Sequence, residues 1–236
     1  MLSIRNLSKT YKNGKRAVRG VSLEVGAGAV YGFIGHNGAG KTTTLKCVAG
    51  ILDFTEGEVF IGGRSVRKEP LACKQATAYI PDSPDLYENL TAIQFINFVA
   101  DVYRVPKQAR ERAVGELAEA FEITGNLGDL ISSFSHGMKQ KTAVIAALMH
   151  DPKLLVLDEP FTGLDPKASF VLKERMRALC KAGGAVFFST HVLEVAEKFC
   201  DKVAIIKNGE IVVSGETDAV TGDSSLEQIF MELVAT

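Results

Sequence analysis

The stretch Val30-Tyr31-Gly32-Phe33-Ile34-Gly35-His36-Asn37-Gly38-Ala39-Gly40-Lys41-Thr42-Thr43 runs from an apolar, strand-like segment through a glycine-rich turn into a helical pattern that ends at Gly50. Gly35 to Thr42 fit the spacing G-x-x-x-x-G-K-[ST], and a strand before with a helix after is the context in which that spacing makes a phosphate-binding loop. Glycines at these places let backbone N–H groups face phosphate oxygens. Lys41 supplies charge to the β and γ groups, and the Thr42 hydroxyl can ligate Mg²⁺. The residues expected to hold the nucleotide are therefore Gly35, His36, Asn37, Gly38, Ala39, Gly40, Lys41, Thr42 and Thr43. A nucleoside triphosphate is the ligand class this loop implies.

Working outward, short β-rich runs recur around Leu2–Leu7, Val21–Val25, Val59–Ile61, Ala78–Ile80, Leu154–Leu157, Val186–Ser189, Val203–Ile206 and Ile211–Val213. The run Lys153-Leu154-Leu155-Val156-Leu157-Asp158 is almost continuously apolar, as a strand buried on both faces of a parallel sheet should be. Helical patterns between several of these runs predict an α/β fold with a mostly parallel sheet. From about residue 86 to 150 the helical signal dominates. Thr91 and Gln94 have capping-box spacing, and Ile96, Val99 and Tyr103 follow at helical intervals. A second amphipathic helix is expected after Pro106, and a third from near Ser135. The expected organisation is one domain over 1–236, with residues 1–85 and 151–236 as an α/β core and about 86–150 as an inserted helical subdomain. Ser224 or Ser225 reads as the cap of one last helix.

Two carboxylates follow the strand that ends at Asp158. Asp158 can reach Mg²⁺ directly or through a water. Glu159 can face the terminal phosphate and polarise an attacking water. His191, just past the strand-like Ala185-Val186-Phe187-Phe188-Ser189-Thr190, is placed for a γ-phosphate contact. Lys41, Glu159 and His191 are the candidate catalytic residues.

Bulk properties narrow the partners. With Lys and Arg nearly balancing Asp and Glu, the net charge is −1, which argues against duplex nucleic acid as the main partner. Four scattered cysteines with no C-x-x-C spacing predict free thiols rather than a disulfide framework or zinc site. No apolar core for a signal peptide opens the chain, and no stretch reaches the roughly 20 residues of a membrane span. Any membrane connection would come through a partner.

A second stretch, Ser135-His136-Gly137-Met138-Lys139-Gln140-Lys141, looks like another anion site: a serine and a glycine open an apolar helix with two lysines in its first turns. Taken in order, the phosphate loop, this stretch, "LLVLDEP", "TGLDP" and "STH" resemble the ATP-binding subunit of ABC transporters over nearly the whole chain. The resemblance implies a P-loop, RecA-like core with an N-terminal antiparallel β subdomain and the helical insert. It places Tyr11 against adenine and makes Ser135-to-Lys141 the family signature. Two subunits would pair head to tail, Ser135 and the Gly137 N–H contacting the γ-phosphate held by the other subunit, with Asp165 crossing the same interface. Both a homodimer and a heterodimer fit. An integral-membrane permease subunit would be the further partner, which places the chain at the cytoplasmic face of the cell membrane.

The departures from the family pattern are His136 for the first signature Gly, Met138 for Gln, and His36 for a Pro in the phosphate loop. His136 could add a phosphate donor or crowd the site. Asp82 stands where the family has a Gln; it is a hard oxygen donor for the metal, or a side chain too short to reach it. The variants "YIPDSPDLYENLT" and "FSHGMKQK" resemble most the Ecs-type and related bacterial exporter subunits. Expected, then, is an ATP-hydrolysing subunit of an exporter. The competing reading is a soluble ABC ATPase in a role such as cofactor assembly. A phosphate-loop kinase would leave the second stretch and His191 without roles.

Overall fold

The computed structural model describes residues 1–235, with side chains through residue 233. In chain order the strands are β1 (Leu2–Thr10), β2 (Arg16–Val25), β3 (Val30–Ile34), β4 (Glu56–Ile61), β5 (Arg64–Ser65), β6 (Thr77–Ile80), β7 (Leu154–Asp158), β8 (Ala185–Thr190), β9 (Lys202–Lys207) and β10 (Glu210–Glu216). The α-helices are α1 (Lys41–Val48), α2 (Pro70–Gln75), α3 (Ala92–Val102), α4 (Lys107–Ala120), α5 (His136–Leu148), α6 (Pro166–Lys181), α7 (Leu193–Phe199), α8 (Thr217–Thr221) and α9 (Leu226–Ala235).

Two sheets form. One is antiparallel, in the order β2-β1-β4-β5; the other has the order β10-β9-β3-β8-β7-β6. In the second sheet β9, β3, β8 and β7 run parallel, and β10 is an antiparallel edge. β3, β7 and β8 are buried at every position, which explains their unbroken apolar runs. β10 alternates intermediate and exposed residues, the pattern of an edge strand. Parallel register pairs Ile34 with Thr190 and Asp158 with Ser189. The residues that follow, Gly35, Glu159 and His191, therefore leave the sheet along one carboxyl edge, where ligands of open α/β sheets bind.

The chain forms two compact units. The first comprises Met1–Tyr79, Lys153–Pro160 and the chain from Arg177 onward. Its core joins both sheets: Leu2, Ile4 and Val18 share one cluster with Phe33, Leu45, Val156 and Phe187. The Phe33 and Phe187 rings lie 5.4 Å apart in this cluster. The second unit comprises Ile80–Pro152 and Phe161–Met176, so it also takes in a segment that the sequence reading assigns to the core. There α5 packs on α3 and α4, burying Ile96 and Ala100 of α3 with Val144 and Ile145 of α5. Thr91 and Gln94 make both bonds of the capping box at the start of α3. Ser225 accepts from the Gln228 N–H and opens α9.

All four cysteines are free and buried. Burial pushes the Cys47 thiol up to about 12 and the Cys180 thiol to about 11. Among the described residues no helix is long and apolar enough to cross a membrane.

Candidate nucleotide-binding site

The loop between β3 and α1 is shaped by close backbone approach. Gly40 has φ +112°, and a Cβ there would lie 2.5 Å from the Ala17 carbonyl. No L side chain adopts that backbone without strain, so glycine is required. A Cβ on Gly35 would meet the Ile206 carbonyl at 2.6 Å. Helix α1 has no side-chain cap, which leaves its first N–H groups for a ligand. Thr42 is exposed at its first turn. The His36 ring is turned onto its own loop, with Nδ1 2.8 Å from the Asn37 carbonyl. The Tyr11 hydroxyl is 3.1 Å from the Thr43 hydroxyl, and the Lys9 ammonium lies 5.4 Å from the Tyr11 ring centre.

Lys41 is nearly buried and points back along the loop. Its ammonium donates to the Gly35 carbonyl at 2.6 Å and lies 3.2 Å from Glu159 Oε1. That oxygen is shut off from solvent and has no hydrogen bond of good geometry. Buried polar atoms are nearly always bonded, so an oxygen left with only an ion contact is ready to take a new partner. The other oxygen of Glu159 receives the His191 N–H at 3.2 Å and has His191 Nδ1 at 2.9 Å. Glu159 itself sits at φ +48°, a region that bulky residues seldom enter. Two bonds hold it there, from its N–H to the Ser189 carbonyl at 3.2 Å and to the Ser189 hydroxyl at 3.1 Å. The same hydroxyl donates to Asp158 at 2.5 Å, and Asp158 is 2% exposed. Phosphate loop, two carboxylates, histidine and Tyr11 thus all belong to the first unit.

Ser135, Gly137, Asp165 and Asp82 belong to the second unit. Ser135 caps α5, accepting from the Met138 N–H at 3.3 Å. The lysines behind it are both in ion pairs. Lys139 is paired with Glu88 and Lys141 with Asp165. Hydrogen bonds from Lys141 and from the Ala168 N–H hold the Asp165 carboxyl below its ordinary range. His136 packs its ring on Gly163: a Cβ there would come within 2.3 Å of His136 Cδ2. Gly163 has φ +76°, and its carbonyl would lie 2.7 Å from a Cβ on Gly137. Glycine at 137 is thus demanded by packing as well as by any ligand. Asp82 is exposed in the loop before α3.

Comparison with known proteins agrees with this geometry. The family model described as ABC transporter matches residues 18–162, more than half of the chain. The chain belongs to the ABC transporter ATP-binding family. It is 34% identical to the ABC-type transporter ATP-binding protein EcsA of Bacillus subtilis, over 99% of this chain and 96% of that one. It is equally 34% identical to the linearmycin resistance ATP-binding protein LnrL of the same organism, over 91% of this chain and 69% of LnrL. A solved ATP-binding subunit of an ABC transporter superposes with a TM-score of 0.94 at 33% identity, covering 99% of both chains. In fold alone it also matches the dimeric cassette MJ0796, solved after hydrolysis with ADP and phosphate, at a TM-score of 0.84 and 24% identity.

As an ABC ATPase the chain binds and hydrolyses ATP. Several of the residues that shape its site escape the sequence reading. Ser189 orients both carboxylates, yet only the β7–β8 register brings it there. Glu88 and the paired state of Lys139 and Lys141 carry no motif of their own, and the packing of Gly163, within "TGLDP", against His136 appears only in the fold.

Proposed function

We propose that the chain is the ATP-hydrolysing subunit of a membrane exporter, and that two copies close head to tail around two ATP molecules. The observation that carries this reading is the Glu159 carboxylate, held between Lys41 and His191 with one oxygen shut off from solvent and in ion contact with the Lys41 ammonium. A triphosphate would draw Lys41 onto its β and γ oxygens and free that carboxylate to orient water for in-line attack, with His191 beside it. Catalysis of this kind is positioning plus electrostatics. One chain holds both halves of a composite site, so two copies form two complete sites. Ser135 and the Gly137 N–H of each copy would contact the γ-phosphate bound by the other, and loss of that phosphate would open the pair.

The family implies Mg²⁺, and the donors suit it: an exposed Thr42 hydroxyl and the Asp158 carboxylate are hard oxygen ligands, to be completed by phosphate oxygens. When bound, the ion would neutralise charge on the phosphates. Support for a membrane partner lies in the relatives' names and in an apolar patch of the second unit. Tyr87, Phe98 and Val102 are all largely exposed there, with the Tyr87 and Phe98 rings 5.7 Å apart. Contact through that patch would hold the chain at the cytoplasmic face of the membrane. Export is favoured by likeness to a subunit named for resistance.

The test is sedimentation of the Glu159→Gln variant with and without MgATP, beside Ser135→Arg in the same background. An ATP-dependent dimer that Ser135→Arg abolishes is the expected result. A monomer that binds ATP would overturn pairing between copies of this chain.

A further inference from the structure

Ser135 is framed on both sides by a single residue. Three positions before it, the Ser132 N–H donates to the Glu88 backbone carbonyl at 3.1 Å. Four positions after it, the Lys139 ammonium reaches the Glu88 carboxylate at 2.5 Å. The contact on the first side is extended: the Ile131 N–H donates to the Leu90 carbonyl at 3.0 Å, and Thr91 and Leu130 form an antiparallel bridge. Segment 88–91 is thus paired edge to edge with 130–132, and Lys139 closes the frame across the first turn of α5. The same ion pair neutralises a lysine that would otherwise stand one turn from an incoming anion.

We propose that Glu88 is a positioning residue for the composite ATP site. Through Ser132 and Lys139 it holds Ser135 and the first N–H groups of α5 in the arrangement that the neighbouring copy's triphosphate requires. It touches no nucleotide itself. The inference rests on the paired-copy reading and adds the residue that sets its geometry. Tyr87, the exposed aromatic of the proposed docking patch, is one peptide away, so a protein seated on that patch bears on the same frame.

Charge exchange tests it. Glu88→Lys, Lys139→Glu and the double exchange are each placed in the Glu159→Gln background, and dimer formation is followed by sedimentation against MgATP. Binding of trinitrophenyl-ATP and the melting temperature are measured on the same samples. A closed dimer holds two frames, and reversal turns attraction into repulsion, so each single reversal should raise the ATP needed for half dimerisation about tenfold. Nucleotide binding and melting temperature stay unchanged, and the double exchange returns within about twofold of the parent. A merely structural ion pair would move the melting temperature instead. Should a reversal fail to bind trinitrophenyl-ATP, Glu88→Gln and Lys139→Met make the same comparison with milder changes. Reversals that leave the ATP dependence unchanged, or an exchange as weak as its single components, overturn the inference. A parent that forms no dimer overturns the paired-copy reading first, before any Glu88 variant is compared.

Discussion

Glu159 lies at φ +48°, a strained backbone, and keeps one carboxylate oxygen shut off from solvent against the Lys41 ammonium at 3.2 Å. Replacing it with Gln should cut ATP turnover by about 100-fold or more while leaving ATP binding intact, as loss of a water-orienting base does. Steady-state hydrolysis beside equilibrium nucleotide binding checks this; turnover within tenfold of wild type would remove Glu159 from the reaction. His150, stacked on Tyr103 with ring centres 3.7 Å apart, gives a prediction in pH. Desolvation by burial lowers its pKa from 6.5 to about 4. The unfolded chain takes up this proton first, so the His150 contribution is complete above about pH 6.5 and is lost as pH falls toward 4. His150→Phe keeps the stack and removes the proton site. Discounted for its half-open side, about 1–2 kcal/mol of acid destabilisation should vanish in that variant. Urea melts at pH 7.5 and 4.5 would show it.

At the scale of elements, the start of α5 and the segment 161–168 are fitted to each other. The His136 ring occupies the space a side chain at Gly163 would need, and Gly163 in turn excludes a side chain at Gly137. Gly163→Ala should therefore destabilise by about 2–3 kcal/mol, from the clash together with φ +76°. His136→Gly in the same chain should recover the steric part but not the backbone part, so the double variant falls between wild type and Gly163→Ala. Full recovery would show that the left-handed backbone costs nothing here. Thr91→Ala, which breaks the capping box of α3, should cost about 1 kcal/mol with ATP binding by the first unit unaffected. Chemical denaturation and nucleotide titration separate the two effects.

Taken as a whole molecule, the chain keeps its reactive sulfur inside: Cys47, Cys73, Cys180 and Cys200 are all buried, and desolvation raises the pKa of each thiol. Thiolate is the reactive form, so an aromatic disulfide reagent at pH 8 should modify none of the four within minutes, and all four once guanidinium unfolds the chain. Rapid modification of one thiol in the folded protein would reveal a local opening. The core that encloses Cys47 and Cys73 joins the antiparallel and the mainly parallel sheet.

The sequence alone determined the local chemistry. The loop from Gly35 to Thr43, the buried strand ending in Asp158 and Glu159, the capped starts of α3 and α5, and the order of the motifs were legible because each depends on neighbours within a few residues: glycine where the backbone turns, apolar runs where a strand is buried, a hydroxyl where a helix begins. Only the tertiary structure decided what those groups touch. Parallel register set Ser189 beside Asp158, and folding of the second unit set Glu88 beside Lys139 and Asp165 beside Lys141. Read locally, the two lysines looked like ligands for an anion; in the fold each already has a carboxylate. Charge partners distant in sequence leave no spacing to read, because ion pairing depends on distance in space.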